Sequence, residues 1–236
     1  MPRDLSRLNA TYAGDAEGAL RFALSGALGR VAMVSSFGAD SAVLLHMVAG
    51  IDRATPVVFI DTLMLFPETL AYQRDLAGHL GLTDLRVISP ERDEMFAEDP
   101  DGVLHRADTD QCCALRKIRP LERALAGFDG WVTGRKRFQG GDRTALDLFE
   151  HDEATGHLKL NPLAGWDAQQ IAGYLDRHAL PRHPLVARGF PSIGCAPCTG
   201  PVAPGEDQRA GRWRGQDKTE CGIHIVDGRV IRRRAG

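Results

Sequence analysis

The chain reads as an α/β protein: a mostly parallel, twisted sheet with helices on both faces, followed by a C-terminal tail. Three observations predict this. Short apolar runs alternate with longer amphipathic stretches between residues 31 and 133. Turn residues, above all glycine, punctuate the alternation. Beyond Pro181 the pattern stops, and Gly, Pro and Arg prevail without a long element. The organisation expected is an α/β domain over residues 1–180 and a C-terminal segment over 181–236.

The elements follow in order. Val31–Ser35 is a short apolar run ending in a Gly-containing loop, which reads as a buried strand, and Ser41–Ala49 as the helix after it. Pro56–Ile60 is a second strand, ending at Asp61. Glu68–Leu80 is an amphipathic helix closed by Gly81, a C-terminal signal because glycine takes the left-handed conformation freely. Leu85–Ile88 is a third strand, Leu115–Ala126 a helix ended by Gly127, and Trp131–Thr133 a fourth strand. Thr144–Glu150 and His157–Leu160 are expected to form a hairpin or edge strands. Asp167–His178 has helical periodicity, with Asp167 as N-cap. Ligands of such sheets bind beyond the carboxyl ends of the strands.

Composition narrows the function. The 236 residues carry 29 Lys and Arg against 31 Asp and Glu, so global charge gives no reason for a nucleic-acid or membrane partner. Basic residues do gather locally, from Arg135 to Arg143 and from Arg209 to Lys218. No apolar run is long enough to span a bilayer. The stretch Met1–Arg7 is polar and leads into no apolar core, so no signal peptide is expected and the cytoplasm is the expected location.

The five cysteines carry more information. Cys112 and Cys113 are adjacent, Cys195 and Cys198 form a C-x-x-C, and Cys221 stands alone within Glu220-Cys221-Gly222-Ile223-His224. Four thiolates from two separated pairs suit an iron–sulfur cluster and leave one thiol as a nucleophile. Zinc is the nearest rival, although its sites usually draw ligands from two short knuckles rather than a Cys-Cys pair. Two disulfides and an odd thiol would need an oxidising compartment, and vicinal cysteines close a strained ring.

Two loops look suited to a nucleotide. Ser35-Ser36-Phe37-Gly38-Ala39-Asp40-Ser41 follows the first strand; its small residues let backbone N–H groups approach an anion at a helix start. It is neither a Walker A loop nor a G-x-G-x-x-G fingerprint. It is similar to the S-G-G-x-D-S loop of pyrophosphatase-type nucleotide enzymes, with Phe37 at the first glycine. An ordinary Ser-Gly turn is the plain alternative. In Phe59–Thr69, Asp61 and Thr62 stand at the end of the second strand, where an acid can bind ribose hydroxyls; an ordinary helix start at Pro67-Glu68 is the alternative.

With these stretches in view the chain resembles assimilatory adenylyl-sulfate reductases, in the family shared with phosphoadenylyl-sulfate reductases. The resemblance runs over nearly the whole sequence. Its further motifs are Cys112–Lys117, Thr133–Gln139, Asn161–Leu163, Gly189–Thr199, Gly211–Trp213 and Glu220–His224. It implies an adenine nucleotide alpha-hydrolase-like fold of the PP-loop type. It implies one [4Fe–4S] cluster on Cys112, Cys113, Cys195 and Cys198, and Cys221 as the nucleophile. The activity implied is reduction of adenosine 5′-phosphosulfate to sulfite and AMP through a Cys221 S-sulfonate, with thioredoxin or a glutaredoxin-like dithiol as reductant.

Substrate contacts are expected from Ser36, Phe37, Gly38, Asp40, Ser41, Asp61 and Thr62 at the loops, and from Lys117, Arg137, Arg209, Arg212 and His224 around the anion. Lys136 replaces an Arg of the Thr-Gly-x-Arg-Arg-x-Gln pattern and cannot form a bidentate fork, so Arg137 is expected to be the contact. Leu63 stands where many relatives have glycine. The segment from Gly205 to His224 is expected to close over the substrate and deliver Cys221. Three other readings stay open: a phosphoadenylyl-sulfate or dual-specificity reductase, an ATP-dependent sulfurtransferase or ligase of the same loop type, and a metal- or cluster-bearing sensor. The oligomeric state is open, a homo-oligomer included.

Overall fold

The computed structural model describes residues 4–152, 155–216, 218 and 220. Six strands form one sheet in the order β3-β2-β1-β4-β6-β5. The strands are β1 (Val31–Val34), β2 (Val57–Ile60), β3 (Leu85–Ile88), β4 (Gly130–Val132), β5 (Phe149–His151) and β6 (Leu158–Leu160). All neighbours run parallel except β5, which pairs antiparallel with β6 at the edge.

The helices among the described residues are α1 (Leu5–Thr11), α2 (Ala16–Phe22), α3 (Ser41–Ile51), α4 (Pro67–Leu80), α5 (Arg92–Glu98), α6 (Leu104–Ala107), α7 (Thr109–Cys113), α8 (Arg119–Leu125) and α9 (Ala168–Arg177). The runs of β1, β2 and β4, in the middle of the sheet, are continuously apolar because both faces are covered there. Alternation sends Val31, Met33, Val57 and Phe59 to one face, where α2, α3, α4 and α9 pack. Ala32, Val58 and Ile60 face the other way, toward Leu121 and Leu125 of α8.

Several sequence-based boundaries shift. The helix expected from Leu115 starts at Thr109, capped by the Asp108 carboxylate, which accepts from the Asp110 and Gln111 amides. A wide π turn at Ala114–Ile118 joins α7 to α8, so Cys112 and Cys113 lie on helix rather than before it. Of the stretch 144–150 only its end is strand; Gly141–Ala145 is 3₁₀ helix. The small N-terminal helices α1 and α2 carry no sequence expectation above, and each begins at an Asp whose carboxylate accepts a backbone N–H. Gly81 does close α4 in the left-handed region, at φ 66°, and Asp167 caps α9 with a capping box.

The strand order reverses between β1 and β4: the chain moves outward from β1 through β2 to β3, then returns to the far side of β1. Loops after β1 and β4 therefore diverge at their carboxyl ends and leave a crevice between them. No helix among the described residues is long and apolar enough to cross a membrane.

Candidate active site

A cavity of about 220 Å³ opens at this switch point. Its floor includes Met33, Leu44, Ile60, Trp131 and Leu163, an apolar surface of the kind a nucleobase can cover. Ser36, Gly38, Asp40 and Ser41 of the first loop line it, with Thr62 from the end of β2. The other walls are basic. Lys117, Arg135, Lys136, Arg143, Arg209 and Arg212 face the cavity, against the acids Asp40 and Glu220. Cations outnumber acids, so the cavity favours an anionic ligand.

The cations differ in what holds them. Arg135 donates to Glu150 at 2.5 Å and to Asn161 at 3.2 Å. Lys136 donates to the Asp40 carboxylate at 3.1 Å and to the Gly134 carbonyl at 3.0 Å. Burial pushes the Lys136 ammonium below its ordinary range, and Asp40 opposes that shift. Arg143 forks onto Glu220 at 2.6 and 2.9 Å, and Arg209 donates to the same carboxylate at 3.2 Å. Arg212 differs: its guanidinium lies 4.4 Å from the Trp213 ring centroid, and its buried Nε has no hydrogen-bond partner among the described residues. An aimed cation with an unmet donor is poised for a ligand anion.

Three expected contacts fall outside the cavity. Phe37 is fully buried and packs edge-on against Phe59, with centroids 5.3 Å apart. It adopts φ 48°, the left-handed region, where glycine is the easy occupant. Its side chain thus anchors the loop from below. Asp61 turns its carboxylate to the Leu63 amide at 2.9 Å and does not line the cavity. Leu63 is itself left-handed at φ 59°, so the carboxylate braces a turn that glycine would make more readily. Arg137 is exposed and donates to the Leu146 carbonyl at 2.7 Å, while Lys136, passed over for lacking a fork, faces inward. Arg135, Arg143 and Glu220 were missed. The local basic cluster at Arg135–Arg143 was the signal for the two arginines.

Beside this cavity lies a smaller one lined by Cys112, Cys113, Cys195 and Cys198, with Met64, His105, Thr109, Arg116, Lys117 and Trp213. Backbone pairing brings the distant cysteines together. Leu65 bridges Cys195, and the Ala196 amide donates to Met64 O at 2.8 Å, fastening the C-x-x-C under the end of β2. The chain then returns: Thr199 bridges Arg212, and the Trp213 amide donates to Cys198 O at 3.1 Å. Gly211 is required there, since a Cβ would meet Gly200 O at 2.1 Å.

The four thiols are free of disulfides. Burial pushes the Cys112 thiol up to about 11 and the Cys198 thiol upward as well, so their thiolate forms need a compensating positive centre. Hydrogen bonds also reach the sulfurs: Thr62 Oγ1 lies 3.2 Å from Cys195 Sγ, and Lys218 Nζ lies 3.5 Å from Cys113 Sγ. Arg116 lines the same cavity and forms a buried pair with Asp99 at 2.6 Å, side chains 4% and 2% exposed. It also donates to Thr62 O at 3.1 Å, fixing the residue that touches Cys195. A soft, all-sulfur donor set in a cradle with nearby cations fits an iron–sulfur cluster. Cys221 and His224 lie outside the described residues.

The sequence and the fold were compared with known proteins. The phosphoadenosine phosphosulfate reductase domain matches residues 30–201. The chain belongs to this family. An adenosine 5′-phosphosulfate reductase of Mesorhizobium japonicum is 55% identical over 195 residues, covering 83% of this chain and 76% of that protein. A phosphoadenosine 5′-phosphosulfate reductase of Gloeobacter violaceus is 39% identical over 202 residues, covering 83% and 82%. Among solved structures, a phosphoadenylyl-sulfate reductase of Candida auris in complex with phosphate aligns at TM-score 0.73 and 28% identity, covering 86% of this chain and 98% of that one. The family membership agrees with the switch-point crevice, built from the loops after β1 and β4.

Proposed function

We propose that this enzyme reduces adenosine 5′-phosphosulfate to sulfite and AMP in assimilatory sulfate reduction, with a thioredoxin-type dithiol as reductant. One observation carries the reading. Lys117 lines both cavities, so a single cation joins a basic nucleotide-sized crevice to a four-cysteine cradle. A nucleotide hydrolase or ligase needs the first cavity only, and a metal-bearing sensor only the second.

In this reading Ser36, Gly38 and Ser41 hold the nucleotide phosphate near the start of α3, and the apolar floor takes the adenine. Lys117, Arg209 and Arg212 neutralise the sulfate and the departing phosphate oxygens. The Cys221 thiolate attacks the substrate sulfur, the bond from sulfur to the bridging oxygen breaks, and AMP leaves with that oxygen. Cys221 then carries an S-sulfonate. A thiolate of the dithiol attacks Cys221 Sγ, sulfite departs with the electron pair, and the second thiol resolves the mixed disulfide. The dithiol thereby supplies the two electrons that reduce the sulfur. Cys112, Cys113, Cys195 and Cys198 would hold the [4Fe–4S] cluster, which would order the segment beside the anion site by cross-linking α7 to the C-x-x-C, while Lys117, Arg209 and Arg212 supply the positive charge. The tail from Gly205 onward closes over the substrate and opens for the reductant, which belongs to a reducing compartment such as the cytoplasm.

Strength of identity to adenosine 5′-phosphosulfate reductases, together with the four-cysteine cradle, supports the unphosphorylated nucleotide as substrate. The test is sulfite release from each of the two sulfonucleotides, with reduced thioredoxin and cluster-loaded protein. Turnover of adenosine 5′-phosphosulfate in preference to its 3′-phosphorylated form is the expected result. Preference for the 3′-phosphorylated form would transfer the chain to the other branch of the family, and no sulfite from either would remove the reading.

A further inference from the structure

The tail brings a carboxylate into a cavity otherwise built for anions, and two arginines receive it. Glu220 accepts a two-pronged contact from Arg143 Nε and Nη2 at 2.6 and 2.9 Å, and a third bond from Arg209 Nη2 at 3.2 Å. Its side chain is only 13% exposed, and those of Arg143 and Arg209 are 11% and 14% exposed. Arg143 belongs to the 3₁₀ segment after β4, so it is part of the sheet body, and it is itself braced by Gln139. Arg209 belongs to the tail. Glu220 therefore ties its part of the tail both to the body and back onto Arg209. Two residues earlier, Lys218 makes an independent anchor: its ammonium donates to Asp110 Oδ1 at 2.6 Å and to Thr109 O at 3.2 Å, both on α7. Cys221 is the next residue in the chain after Glu220.

We propose that Glu220 is a positioning residue: a latch that fastens the tail to the rim of the anion cavity through Arg143 and Arg209, one residue before Cys221 in the chain, with Lys218 as the second fastening on α7. Charge explains why a carboxylate is tolerated beside a thiolate nucleophile. An isolated Glu would raise the thiol's pKa, whereas one neutralised by two guanidinium groups exerts little net field. Geometry explains the benefit, because attack at sulfur requires the thiolate within bonding approach and in line with the leaving oxygen. The proposal rests on the reductase reading for the role of Cys221, but the latch itself is a contact that can be measured without turnover.

The test compares wild type with Glu220→Gln, which keeps shape and removes charge, and with Glu220→Asp, which keeps charge on a shorter arm. All are used as cluster-loaded full-length protein with iron content checked. Amide hydrogen exchange across 206–220 reads the latch directly: faster exchange in Glu220→Gln is expected, with partial return in Glu220→Asp. Single-turnover formation of the Cys221 S-sulfonate at saturating adenosine 5′-phosphosulfate is expected to fall roughly 10- to 100-fold in Glu220→Gln, with KM unchanged or lower because two arginines are released to the substrate. Exchange at the wild-type rate, or a sulfonation rate unchanged or raised, would overturn the latch. Absence of sulfonation in the wild type would instead overturn the reductase reading, and the exchange result would still decide whether Glu220 fastens the tail.

Discussion

His183 is expected to make the protein acid-sensitive. The ring is 1% exposed and stands against Tyr72, with centroids 4.8 Å apart. Its Nδ1 accepts from the Leu185 amide at 3.1 Å, so its proton sits on Nε2, which donates to Thr69 Oγ1 at 3.0 Å. A second proton would break the Nδ1 bond and put a charge in the interior, and burial pushes the ring pKa down to about 4, with Glu68 opposing. An unfolded chain takes up that proton near 6.5. The stabilisation is therefore complete above 6.5 and is lost as pH falls toward 4. The full shift corresponds to about 3 kcal/mol, of which about 2 kcal/mol is lost by roughly pH 5. His183 fastens the segment leading to Cys195 onto α4, so acid should loosen the C-x-x-C first. The assay is an NMR titration of the ring, paired with melting of wild type and His183→Gln near neutrality and near pH 5. The wild type should lose about 4–8 °C more than the variant. A ring titrating near 6.5, or equal acid sensitivity in both proteins, would refute the argument.

Other outcomes follow from the site. Arg212→Ala should lower kcat/KM by about 2–4 kcal/mol of transition-state stabilisation, and unchanged kinetics would remove this residue from the anion site. Serine at any of Cys112, Cys113, Cys195 or Cys198 should lose iron, as read by iron and sulfide analysis; full iron content in one variant would strike that residue from the ligand set. Arg116→Met strands the Asp99 carboxylate in the interior, and denaturant unfolding should register a loss of about 3–5 kcal/mol; a loss below about 1 kcal/mol would mean that water reaches the pair.

What the sequence made legible was set by local physics. β2 needed only a four-residue apolar run, Gly81 only the left-handed residue at a helix end, and Asp167 only a side chain that accepts from the third amide of its helix. The cysteine pairs were legible because their chemistry is narrow, although the backbone bridges that unite them, Leu65 with Cys195 and Thr199 with Arg212, leave no periodic mark. The start of α7 had a signal in Asp108, a good N-cap, but the π turn beyond it depends on packing. The choice between Lys136 and Arg137 failed because fork geometry says nothing about which neighbour a short 3₁₀ turn directs inward. Phe37 failed for a related reason. A motif fixes the backbone path of a loop, whereas this side chain was claimed by the core beside Phe59. Glu220 is legible only as part of the Glu220–His224 motif, since its two arginines lie 77 and 11 residues away.

The central claim is that Cys221 takes the sulfur of adenosine 5′-phosphosulfate while AMP departs. Cluster-loaded protein, freed of reductant, mixed with this substrate and digested for mass spectrometry, tests it most directly. One SO₃ group on the peptide containing Cys221, with an equal amount of AMP released, is the expected result. Release of AMP with no adduct, or an adduct on one of the other four cysteines, would contradict the account.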